Sequence, residues 1–120
     1  SADAAPLVVW EGSHVILQAA LALALAGCEP GQEGQVDVTE AYKTARRRVF
    51  ASCRRVELAV RPGEAVLLHR LALHGIAPWG AQATAGPDGR MMAYFRPPMP
   101  GGVASWLTVS ERVRDGVGFG

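Results

Sequence analysis

The run Ala65-Val66-Leu67-Leu68-His69-Arg70-Leu71-Ala72-Leu73 constrains the fold more than any other part of the chain. It is apolar on both faces of an extended backbone, so as a strand it belongs in the middle of a sheet. The residues before it fit that reading. Val56, Leu58 and Val60 alternate with Arg55, Glu57 and Ala59 as in a half-buried strand, and Arg61-Pro62-Gly63-Glu64 has the composition of a tight turn. His74-Gly75 then leads into a long loop that ends in Pro87-Asp88-Gly89. Arg90 opens another apolar run, to Phe95, which reads as a third strand until Pro97 to Gly102 breaks it. Val103 to Val109 is expected to form a last strand, and the Gly-rich end from Gly116 a loose tail.

Helices are expected nearer the start. Leu7 to Trp10 reads as a short strand and Glu11-Gly12 as a turn. Ser13 has the side chain to cap a helix from Val15 to Ala26, which Gly27 would end. Gln18 is its one polar residue, and a helix apolar nearly all round needs cover on several sides. That suggests a partner or an oligomer interface, such as a homodimer. After a loop from Cys28 to Gln35, Asp37 or Thr39 can cap a second helix over about Glu40 to Cys53. Ala41, Ala45, Val49 and Ser52 form its inner stripe, while Lys43, Arg46, Arg47 and Arg48 lie on a solvated outer face.

A chain of 120 residues suits one small domain, and 49% apolar content is enough for a core. A formal charge of +1 leaves no general footprint for nucleic acid. The apolar run from Val15 to Ala26 falls short of the roughly 20 residues that span a bilayer, and no basic segment marks it as a secretory signal. Cys28 and Cys53 stand outside any CxxC pattern and read as free thiols. These features predict a soluble cytoplasmic protein that contacts neither membrane nor nucleic acid.

Few residues carry chemistry. His74 ends the expected central strand, where an imidazole can face a cavity and ligate a metal. His69 lies on the opposite face by strand parity, and it and His14 read as structural. Arg90 enters an apolar strand and wants an anionic partner, because its charge is costly to bury alone and its planar fork matches a carboxylate. Arg96 competes for that role, and Met91, Met92, Tyr94 and Trp79 can shape an apolar pocket. Asp88 is explained by its turn.

Three stretches together resemble the phytanoyl-CoA dioxygenase-like family of iron(II)/2-oxoglutarate oxygenases. They are Pro6-Leu7-Val8-Val9-Trp10-Glu11-Gly12-Ser13-His14, then Arg61 through Gly75, then Gly89-Arg90-Met91-Met92-Ala93-Tyr94-Phe95. The resemblance implies a mainly β fold, part of a double-stranded β-helix (a cupin-like jelly-roll barrel) with two helices. Residues 1–110 would be the C-terminal portion of that domain, with an insertion at about 15–54 and a loose tail at 111–120. His74 would be the distal Fe(II) histidine, Arg90 the residue holding the far carboxylate of 2-oxoglutarate, and His14 a motif histidine that does not ligate. The implied activity is hydroxylation of a small organic substrate. The family's His-x-Asp pair is not among these residues. Activity would therefore depend on a missing N-terminal half, and this chain alone is expected to be inactive. The alternative is a non-catalytic jelly-roll protein that binds a small molecule or a protein partner.

Overall fold

A computed structural model describes residues 1, 3–87, 89–103, 105 and 107. The elements run β1 (Leu7–Trp10), α1 (Ser13–Ala24), a short 3-10 turn (Glu33–Gln35), α2 (Thr39–Ser52), β2 (Arg55–Leu58) and β3 (His74–Ile76). The strands form one open antiparallel sheet in the order β2-β1-β3. In β1, Leu7 pairs with Leu58 and Ile76, and Val9 with Val56 and His74. Two further bonds extend the β1–β3 ladder, from Trp10 N–H to the Leu73 carbonyl (3.1 Å) and from Ala77 N–H to the Pro6 carbonyl (2.9 Å).

The jelly-roll expectation is corrected here. The sheet has three short strands with two open edges and does not close into a barrel, while the two helices span 12 and 14 residues. The fold is a small mixed domain. Ala65 to Leu73 is not a strand, because a turn interrupts it. The Ala72 N–H donates to the His69 carbonyl (3.0 Å), and the Leu71 N–H to His69 Nδ1 (3.0 Å). The chain enters the sheet only after that turn, so His74 begins a strand instead of ending one. Arg90 to Phe95 is not a strand either and has no ladder partner among the described residues. Of the expected strand 103–109, Val103, Ser105 and Leu107 are helical, and the remainder lies outside the described residues, as do Asp88 and the tail.

Local chemistry explains the elements that do form. Gly12 precedes α1 at φ 75°, a left-handed conformation that glycine adopts without steric cost. Ser13 does not cap the helix. Its hydroxyl is fully buried and accepts the Leu73 N–H at 2.8 Å, tying the start of α1 to the approach to β3. The Asp37 carboxylate accepts the Thr39 N–H at 2.9 Å and satisfies an orphan donor at the start of α2. The hydrogen bonds from Thr39, side chain and then backbone, hold Asp37 below the usual carboxylate pKa. The turn at 61–64 forms as expected: Gly63 takes φ 86° after Pro62, and Glu64 N–H donates to the Arg61 carbonyl (3.0 Å).

Leu17 of α1, Ala45 of α2 and Leu71 make a buried cluster, with Ile16, Ala20, Leu21 and Leu73 against it. Val49 and Val8 are the most deeply buried apolar side chains outside it, and Ala4, Leu7 and Ala77 are buried too. Gln18 is buried as well, and its amide donates to the Leu107 carbonyl at 2.7 Å. Gln18, the one polar residue between Val15 and Ala26, thus has a tertiary partner. Among the described residues no helix is long and apolar enough to cross a membrane.

Candidate functional site

Residues 59–70 and 89–100 border a wide trough of about 1540 Å³. Neither segment is covered: Leu67 is 99% exposed, Phe95 87% and Met91 81%. Four arginines line the trough (Arg61, Arg70, Arg90 and Arg96), together with His69 and His74. Glu64 is the one carboxylate among the lining residues, and it already accepts the Arg61 backbone N–H at 2.8 Å. Arg70 reaches across the trough, its Nη2 donating to the Pro97 carbonyl at 2.6 Å.

A smaller open hollow of about 360 Å³ adjoins it beside the outer edge of β3. Ile76, Trp79, Met92 and Tyr94 line this hollow with Ala5 and Arg90. Arg90, Met92 and Tyr94 border both cavities. Arg90 is half-buried, and no acid is among the residues lining the hollow. Arg90 borders both cavities, whereas Arg96 borders only the trough.

His74 lies on the trough wall, exposed, with Nδ1 2.8 Å from the Ala72 carbonyl. The structure does not group it with other ligating side chains. Among the described residues, no set of three His, Cys, Asp or Glu side chains could hold a metal ion. The histidines that do meet are His14 and His69, whose ring centroids are 4.8 Å apart. Burial, then the charge of His14, push the His69 imidazole below its ordinary pKa. Its Nδ1 accepts the Leu71 N–H, which places the ring proton on Nε2, a buried atom with no partner. Strand parity could not have found this pair, because the turn at His69 to Ala72 abolishes the parity.

Comparison with known protein families, curated proteins and solved structures finds no match to this chain. The resemblance to phytanoyl-CoA dioxygenase-like proteins is therefore corrected: no family is assigned, and the open sheet is not that family's barrel. The expected iron(II)/2-oxoglutarate dioxygenase activity is corrected with it. Its Fe(II) and 2-oxoglutarate required a ligand cluster that the described residues do not form. The resemblance had rested on short apolar runs beside single histidines and an arginine. Such runs specify burial, not closure of a barrel.

Proposed function

We propose that this chain is a binding domain whose ligand is a small organic anion with a flat apolar body, held in the hollow beside β3. The observation that carries the reading is the position of Arg90, half-buried among Trp79, Met92 and Tyr94 with no carboxylate lining the hollow. A half-buried guanidinium gains from an anion that replaces lost water, and its fork receives a carboxylate through two bonds. Trp79 and Tyr94 offer aromatic surface for the ligand's body. The volume, about 360 Å³, falls at the small end of ligand pockets, which run roughly 300–1,000 Å³.

Titration with naphthoate and with its neutral analogue naphthalenemethanol, read by tryptophan fluorescence and calorimetry, tests the charge requirement. A hydrogen bond to a charged group contributes about 1.5–3 kcal/mol, so naphthoate should bind roughly ten- to hundredfold more tightly. Arg90→Gln should remove most of that difference, and Arg96→Gln should leave it. Equal affinities for the two compounds in the unsubstituted protein would overturn the proposal.

A further inference from the structure

A ligand of that size leaves most of the trough open, and the trough has a chemistry of its own. The backbone amides of residues 65–69 and 90–96 donate to no other backbone carbonyl among the described residues, and neither segment belongs to a helix or a strand. Beside those amides stand Leu67, Met91 and Phe95, almost wholly exposed. Arginines 61, 90 and 96 flank them with one glutamate among the lining residues.

Each feature narrows the occupant. Unpaired backbone next to exposed side chains is the template on which another strand adds, with main-chain bonds giving affinity and side-chain contacts giving selectivity. Hydrocarbon or a lipid surface would cover Leu67 and Phe95 but leave the amides without acceptors. A second copy of this chain would set one arginine-lined trough against another, at a cost in like-charge repulsion. The arginines favour a strand with carboxylates.

We propose that the trough receives an extended polypeptide strand that carries alternating apolar and acidic side chains. The strand pairs with the free amides of residues 65–69 or 90–96, lays its apolar side chains on Leu67 and Phe95, and turns its carboxylates to Arg61 and Arg96. The site stands apart from the small-anion reading except at Arg90, Met92 and Tyr94, which it shares.

The test uses capped peptides of about eight residues, a typical strand length. One alternates glutamate and valine, one alternates lysine and valine, and a third repeats the first with N-methylated backbone amides. Calorimetry gives affinity and amide hydrogen exchange locates the contact. The acidic peptide should bind at least about tenfold more tightly than the basic one, weaken with salt, and slow exchange at 65–69 or 91–96. The N-methylated peptide should bind far less. Equal binding of acidic and basic peptides, or binding without protection of either segment, overturns the proposal. So does a stable dimer that protects those amides without peptide, or binding to phosphatidylglycerol vesicles with none to the peptides. The double substitution Leu67→Glu and Phe95→Glu, at exposed positions, should abolish peptide binding and leave the naphthoate response intact. Loss of the naphthoate preference with peptide binding retained would instead sink only the small-anion reading.

Discussion

Leu7-Val8-Val9-Trp10 and Met91-Met92-Ala93-Tyr94-Phe95 are alike as sequences: short, apolar, ending in aromatic residues, and bounded by turn residues. In the folded chain they have opposite fates. The first is the central strand of the sheet, paired on both sides, with Val8 2% exposed. The second pairs with nothing, and Phe95 is 87% exposed. The difference lies in what surrounds each segment. Gly12 and Ser13 turn the chain from β1 directly into α1, and α2 returns it through Arg54, whose carbonyl accepts the Glu11 N–H at 2.9 Å. β1 thus acquires β2 as a neighbour across the packed pair of helices α1 and α2. Residues 90–96 have Gly- and Pro-rich chain on either side, and no described element lies alongside to complete a ladder. Strand propensity measures how well a residue fits a pleated surface, and it takes effect only when that surface exists.

The contrast can be broken or sharpened by substitution. The largest effect is expected at Val8→Asp. An unpaired charge in the middle of the sheet should cost about 3–5 kcal/mol, a large part of the roughly 5–15 kcal/mol that stabilises an ordinary domain. The same change at Phe95 should shift the urea midpoint by no more than about 0.5 kcal/mol equivalent. If Phe95→Asp unfolded the protein as Val8→Asp does, the two segments would not differ as described. Next comes Leu17→Ala in the α1–α2 cluster, at about 2–5 kcal/mol for the methyl groups removed and the cavity left. Ser13→Ala should follow at about 1–3 kcal/mol, since it leaves the Leu73 N–H buried without an acceptor. Equilibrium urea unfolding ranks all of these. In the free protein, the amides of Val8 and Val9 should exchange far more slowly than those of Leu67 and Met92, because only the former are in a ladder.

The smallest effect concerns pH. His69 has a folded pKa lowered from 6.5, so the unfolded chain takes up the proton first as pH falls. The stability associated with neutral His69 is therefore full above about pH 6.5 and is lost as pH falls toward the lowered folded value. Urea midpoints should decline on acidification in this window, and His69→Gln should flatten the decline. An unchanged slope in that variant would remove His69 as its source.

Much of the local structure was legible in the residues. Asp37 signalled the start of α2 because its carboxylate accepts a neighbouring N–H, a contact within three residues of chain. Pro62-Gly63 signalled the turn because one fixes φ and the other accepts a positive φ. The inner stripe of α2 was readable from its period, with Ala45 and Val49 buried as the spacing required. The candidate site was legible only in part. Arg90 stood out as a charge entering an apolar run, and its neighbours Met92, Tyr94 and Trp79 do line a hollow with it. His74 stood out too, but a histidine on a strand becomes a metal site only through other ligands, and their arrangement is not a property of the strand.

What the sequence determined by itself is therefore the short-range part: two helices, the Asp37 contact that starts the second, the turn at 61–64, and which segments are apolar enough to seek cover. Those depend on contacts within a few residues, whose geometry the side chains dictate directly. Which apolar segments obtained cover was decided by the tertiary structure. Ladder bonds, the Ser13 bond to Leu73 and the meeting of His14 with His69 join residues from 45 to 69 positions apart. A single turn at His69 to Ala72 redirected the apolar run from Ala65 to Leu73, so that part of it closes the core at Leu71 while Leu67 lies open in the trough. Hydrophobicity drives both outcomes equally, and only the path of the backbone distinguishes them.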